Sequence, residues 1–394
     1  MSAHISVSFV KSESQIDPAL WDACFAPPIE GRWWYSTLEQ CGLDDQYSFL
    51  YGVIYRDDAA VGIAPAFVMD FSFALVAPPG LVRGIEWLGR IFPPLVRPRT
   101  LFVGSPCADE GTVGIARGVD ARSALLALQR ALEAQARVLG ASLLVWKDFP
   151  ASYAADLELL VKQQRLFRVV SFPGTIVEFA ARSKEAYFAA LKGTRRHALK
   201  KKLMRSSARV DIRVEIVQRP DGRMLDALFG LFWQTYEKAT TRFEKLNRRF
   251  FEIVATRPES HFIVLKERSS DETIAFMLCF DMGSRIINKF IGIDYRRPRD
   301  WLLYFRLWDT AVEWALSRGA DSIQSGQTGY APKIETGHRL VPLTNYCAHR
   351  NPVLHAIGRV CTRHIGWSTL DDDLARFIEA HPDALLDAPI RRHL

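Results

Sequence analysis

Residues 288–320 read NKFIGIDYRRPRDWLLYFRLWDTAVEWALSRGA, and the fold turns on them. Asn288 to Asp294 has the apolar content of a strand. Tyr295 to Asp300 is a polar loop carrying Arg296, Arg297 and Arg299. Leu303, Leu307, Ala311, Val312 and Ala315 then recur at helical spacing, and Gly319 stops the helix. The next residues, ADSIQSG, read as one more strand. A cationic loop between a strand and a helix N-terminus offers backbone N–H groups, a favourable dipole and guanidinium forks, a combination suited to a pyrophosphate.

The same order is written once before. Leu125, Leu128, Leu132 and Ala136 mark a helix over 121–138, Gly140 stops it, and ASLLVW follows as a buried strand. Aligning Gly140 with Gly319 sets Ala141 opposite Ala320, which predicts a duplicated domain. Upstream of the second copy, HFIVLKE, TIAFMLCFDM and RIINKFIGID are three strand-like runs with polar turns, an antiparallel meander. A helical tract spans 224–255 with a break near Thr240 or Leu246, and Tyr187 to Ser207 reads as a basic helix. In the first copy, Ile5–Val10, Phe49–Tyr55 and Val61–Val68 read as strands. Ala77 to Pro98, rich in Pro, Gly and large apolar residues, reads as a packed loop. After Asn345 the pattern weakens, apart from a short helix over Asp372–Glu379.

The 394 residues are 48% hydrophobic and 24% charged, the composition of a globular protein of about two domains. The net charge of +7 is local. Residues 191–209 hold eight Lys and Arg and no acid, so without them the rest of the chain carries −1. That helix has two functional readings, contact with tRNA or nucleotide phosphates and contact with an anionic membrane, beside a plain solvated face. Six cysteines without a CxxC pair read as reduced thiols of a cytoplasmic protein. The N-terminus lacks the pattern of a signal peptide, and no apolar run is long enough for a transmembrane helix. Cys347, His349, Cys361 and His364 do not have the spacing of a familiar zinc site, and no metal is expected.

Meander, basic loop, amphipathic helix ended by Arg-Gly-Ala and a further strand together resemble the acyl-CoA N-acyltransferase (GNAT) core. The duplication, with the basic stretch LKGTRRHALKK at 191–201 opening the second copy, resembles the tandem-GNAT group that includes Fem-type aminoacyl-tRNA transferases and cellulose-biosynthesis-type acetyltransferases. The resemblance implies an α/β (α+β) fold of two tandem GNAT-like domains, each a mostly antiparallel mixed sheet flanked by helices. The domains are expected at 1–171, structural or acceptor-binding, and 172–345, donor-binding and catalytic, with an extension at 346–394.

It also implies an N-acyltransferase that moves an acyl group from acyl-CoA to a small-molecule or amino-acid-like amine by direct attack. Transfer of an amino acid from aminoacyl-tRNA is the second reading, and a non-catalytic scaffold for nucleic acid or protein is the third. The donor site is expected at Ile293, Arg296, Arg297, Arg299, Asp300 as helix N-cap, and Trp301. The family's donor loop is usually rich in glycine, whereas this one has none. Tyr330, in Tyr330-Ala331-Pro332-Lys333-Ile334-Glu335-Thr336-Gly337, is the expected acid for the leaving thiolate, with Asp294 and His338 as candidate bases beside Glu335. Arg242, Glu244 and Lys333 are candidate contacts to the acceptor or to a phosphate or carboxylate.

Overall fold

The computed structural model describes residues 4–75, 79–163, 165–239 and 244–380. Fifteen strands form two sheets among them. In the first sheet lie β1 (Ile5–Val10), β2 (Ser48–Arg56), β3 (Ala59–Asp70), β4 (Arg99–Val103), β5 (Gly114–Ile115), β6 (Leu143–Pro150) and β7 (Phe167–Val170). The second holds β8 (Gly174–Glu178), β9 (Ile212–Val217), β10 (Ser260–Glu267), β11 (Thr273–Asp281), β12 (Arg285–Ile293), β13 (Ser322–Ser325) and β14 (Arg339–Val341). The last strand, β15 (Leu343–His349), returns to the first sheet.

The orders are β1-β2-β3-β4-β6-β15-β7, with β5 beside β3, and β14-β8-β13-β12-β11-β10-β9. Among the described residues each sheet has one parallel pair, β4/β6 and β12/β13, and the other pairs are antiparallel. A helix crosses over within each parallel pair, Ala121–Val138 in the first and Leu303–Ser317 in the second. The duplication extends to individual hydrogen bonds. Gly140 and Gly319 both take positive φ, 68° and 75°. The next N–H donates back across the helix end in each copy, Ala141 to Ala136 O at 2.8 Å and Ala320 to Ala315 O at 3.0 Å.

Three of the packed cores among the described residues follow from this layout. The Ala121–Val138 helix covers the outer face of the first sheet. Helices Gly193–Arg209 and Leu303–Ser317 cover the outer face of the second. Between the sheets the halves share one core, in which Trp34 packs edge-on to Phe250 and Phe280.

Three expectations need correction. The boundary at 345/346 falls inside β15, which pairs with β6 and β7 and buries Leu343, Tyr346 and Cys347 in the first sheet. Ala77–Pro98 is not a loop throughout. Helices Pro79–Ile91 and Pro93–Val96 form there, both prolines sitting where a helix start tolerates them. The basic tract is two helices, Lys184–Ala190 and Gly193–Arg209, broken at Leu191-Lys192. Past β15 a further helix, Pro352–Cys361, is capped by Asn351, whose side chain accepts from the Val353 and Leu354 N–H groups.

Candidate functional site

A cavity of about 1070 Å³ lies between the two sheets, lined by both halves of the chain. Its walls are largely aromatic and aliphatic, with charged groups gathered where the parallel strands end. The β12/β13 pairing stops at Asn288 opposite Ser325, and the chain past that point, Lys289 on one side and Gly326 to Gly329 on the other, lines the cavity.

The first half supplies Asp109, from the loop after β4. Its Oδ1 would stand 3.1 Å from a Cβ at Gly326, so the absence of a side chain there admits the carboxylate. Its Oδ2 is buried without a hydrogen-bond partner, 3.8 Å from the Lys289 ammonium. Burial raises the Asp109 pKa, and the nearby Lys289 and Lys333 charges only partly oppose the shift. Lys289 is held by Glu30 at 2.8 Å and lies 4.9 Å from the centre of the Trp34 ring. Burial alone would discharge it, but Asp109 and Glu30 raise its pKa instead.

The second half supplies Lys333, on the short helix Tyr330–Glu335. Its ammonium donates to the carbonyls of Gly326 and, at 2.9 Å, Thr328. Burial lowers its pKa to about 8, with Asp109 pulling the other way. A carboxylate from one copy and an ammonium from the other thus both lie against Gly326 at the cavity wall.

A polar chain leads away from this point. Asn288 Nδ2 donates to Ser325 Oγ at 3.3 Å, and Ser325 Oγ lies 3.0 Å from His338 Nε2. Nδ1 of His338 lies 2.9 Å from the Lys333 carbonyl, which only accepts; Nδ1 therefore carries the proton and Nε2 accepts from Ser325. Burial lowers the His338 pKa to about 3. The imidazole is therefore neutral, packs at a tilt against Trp308 with ring centres 4.3 Å apart, and holds the Lys333 backbone. It acts as a positioning group rather than the expected base.

Of the other sequence candidates, Glu244 lines the cavity and accepts from the Cys107 N–H at 3.0 Å, while Ile293 lines it and donates its N–H to Thr235 Oγ1. Arg242 lies outside the described residues. Tyr330 is fully buried with Phe172, Leu340, Trp367 and Leu374, and its hydroxyl donates to Pro173 O at 2.9 Å. It pins the junction between the sheets, which corrects its expected role as acid.

The arginine loop departs furthest from expectation. Arg296 clamps Asp294 with two hydrogen bonds of 2.8 and 3.0 Å. Arg297 reaches Asp294 at 3.2 Å, Glu267 at 3.0 Å and Glu272. Burial would raise the Asp294 pKa, but these arginines lower it, so a carboxylate gripped in this way is a poor base. Asp300 pairs with Arg209, and the N-cap it was expected to fill is taken by Leu302 at φ 52°. Trp301 receives a hydrogen bond from Ser206 on its carbonyl and lies against the Arg297 guanidinium. Arg299 is exposed.

Sequence reading passed over Asp109, Lys289, Glu30 and the buried Lys147–Asp148 pair of β6, whose Lys147 Nζ and Asp148 Oδ2 are 2.6 Å apart. Two left a signal: Lys147 and Lys289 each sit between large apolar residues of a strand, and a buried charge in such a run requires a partner. Asp109 left none, because its burial depends on the other copy.

Residues 115–363 match the model of the FemAB-like family, described as peptidoglycan biosynthesis/recognition. This is more than half of the chain, and the protein belongs to that family. No curated protein matches it. Among solved structures it is similar to FemX, with 12% identity, 89% of this chain and 99% of that chain covered, and a TM-score of 0.59. A tandem GNAT protein from the clavulanic acid biosynthesis pathway has 10% identity, coverage of 89% and 99%, and a TM-score of 0.52. L-PGS from Bacillus licheniformis has 14% identity, coverage of 82% and 94%, and a TM-score of 0.51. At these identities the likeness establishes the tandem GNAT-like fold.

Proposed function

We propose that the protein transfers an acyl group to an amine inside the cavity between its two halves. Family membership and the tandem fold support the coarser statement, a transferase of acyl or aminoacyl groups. The observation that carries the finer one is that Asp109 and Lys333, one from each copy, line the same cavity beside Gly326, where the β12/β13 pairing ends. A carboxylate whose pKa is raised by burial is a usable proton acceptor, and an ammonium tuned to about 8 is a usable electrostatic partner for a developing oxyanion.

In this mechanism the acceptor amine attacks the donor carbonyl and a C–N bond forms. Asp109 takes the amine proton while Lys333 stabilises the oxyanion. Collapse breaks the bond to the leaving thiolate or alkoxide, which receives the proton back from Asp109. Gly326 keeps the two groups close, and Glu244 is placed to meet a cationic part of the acceptor.

Acyl-CoA is the first donor. The cavity has room for a pantetheine-like arm, and the exposed Arg299 flanks the helix that follows β12. Arg296 and Arg297 are already neutralised, so Arg299 and backbone groups would meet the diphosphate. Aminoacyl-tRNA is the second donor, favoured by the helix Gly193–Arg209, on which Lys200, Lys201 and Arg205 stand exposed, with Lys192 exposed just before it.

Thermal unfolding with coenzyme A, acetyl-CoA or tRNA separates the two. A ligand at a hundred times its Kd adds about 2.7 kcal/mol to stability. A shift with a CoA species supports the first donor. A shift with tRNA alone replaces it by the second, and no shift with either sinks the transferase reading.

A further inference from the structure

The helix Pro352–Cys361 lies between two cavities and has a third face turned outward. Leu354, Ile357 and Gly358 line the large cavity. Pro352, His355, Ala356 and Arg359 line a separate pocket of about 450 Å³. Val353, Ile357 and Val360, at helical spacing, are 64%, 51% and 55% exposed. Exposed aliphatic residues one turn apart on a helix are not what water selects.

The helices at 79–96 repeat the pattern. Trp87, Ile91, Phe92 and Leu95 are 62%, 51%, 58% and 44% exposed, and Leu95 also lines the cavity. Two amphipathic segments from distant parts of the chain therefore both reach the wall of one cavity. The charge on them is one-sided: residues 79–99 and 350–364 hold seven arginines and one acid, Glu86.

The smaller pocket is basic as well. Arg137, Arg165, Arg350, Arg359 and two histidines face it against Glu133, which Arg165 already holds. Arg359 Nε is buried with no hydrogen-bond partner, a donor directed at something the protein does not supply.

We propose that this face docks on an anionic phospholipid bilayer, with Trp87, Ile91, Phe92, Val353, Ile357 and Val360 entering the interface and a lipid phosphate held at Arg350 and Arg359. Apolar side chains set in a basic rim are the composition of an interfacial helix, and an aromatic residue at its edge suits the headgroup level. A water-facing surface would not place aliphatic groups outward beside a buried, unpartnered Arg359 Nε. The surface is distinct from the basic helix at 193–209, and the proposal does not depend on which donor the cavity takes.

Flotation of the full chain with phosphatidylcholine vesicles, with and without 30% phosphatidylglycerol, tests it. The expected result is binding to the anionic vesicles at least tenfold above the neutral ones, weakening with salt. Val353→Glu with Ile357→Glu, and separately Trp87→Glu, should each reduce it tenfold or more. Arg350→Gln with Arg359→Gln should remove the preference for the anionic lipid. Circular dichroism checks that each variant is folded, and an unfolded one is replaced by the corresponding Ser substitution. The proposal is overturned if neither vesicle is bound, if the variants bind like the parent, or if binding is lost only on replacing Lys200 and Lys201. It is also overturned if light scattering shows a dimer that Val353→Glu dissociates, since the face then joins two copies. Complete competition by inorganic phosphate, with no dependence on Val353 or Trp87, would make the pocket a free-anion site.

Discussion

The loops after β4 and β12 occupy equivalent points of two equivalent copies, yet their charges go to opposite uses. In the second copy the three arginines of 295–300 are the most conspicuous chemistry in the sequence. Two of them fold back onto Asp294, Glu267 and Glu272. In the first copy the loop is almost without basic residues, and it sends Asp109 across to Gly326 and Lys289 of the other copy. Charge density along a chain marks where groups need partners. It does not mark where partners are left for a substrate.

The strongest way to break this comparison is to exchange the loops' importance. Asp109→Asn or Lys333→Met should lower the transfer rate by about 10² to 10⁴, the usual worth of a positioned base or an oxyanion donor. Arg296→Gln should change it by only a few-fold, because that guanidinium already serves Asp294. Steady-state rates of the three proteins decide it, and a larger loss at Arg296 would reverse the assignment.

Acid sensitivity sharpens the contrast, because His338 braces only the second copy's contribution. With its folded pKa held near 3, below the ordinary His value of about 6.5, stability is full above 6.5 and declines as pH falls toward 3. The slope it adds is at most about 1.4 kcal/mol per pH unit. Urea unfolding between pH 7 and 4 should show that slope reduced in His338→Gln, and an unchanged slope would assign the acid sensitivity elsewhere.

Arg297→Gln should cost about 1 to 2 kcal/mol of stability by leaving buried Asp294 and part-buried Glu267 short of a partner. Its effect on donor affinity should be small, and a large loss of affinity with unchanged stability would restore the arginine loop as the donor site. The smallest effect probes the symmetry itself. Gly140→Ala and Gly319→Ala, both at positive φ, should each cost about 1 kcal/mol. Unequal melting shifts would mean that the two helix ends are not equivalent.

Much of the duplication was legible because its signals are local. A glycine after a helical stripe, an alanine and a buried strand repeat at 140 and 319, and the meander of β10, β11 and β12 is written as three apolar runs. The path of β15 was not legible, since strand pairing between residues 343–349 and 143–150 depends on the whole assembled sheet. Glu244 and Lys333 could be nominated from their segments. Asp109 could not, because nothing near it in sequence distinguishes it from a loop acid. Tyr330 was expected to be catalytic from the resemblance and proved to be held by Pro173 O, a contact 157 residues away in sequence.

The central claim is that Asp109 and Lys333, one from each copy, share a single site. Competitive acylation of lysines across a pH series, read by peptide mass spectrometry, measures the Lys333 titration without a known substrate. A midpoint near 8 is expected, moving lower in Asp109→Asn, whose carboxylate no longer supports the ammonium. A Lys333 midpoint near the ordinary value of about 10.4, or one that ignores residue 109, would contradict the claim.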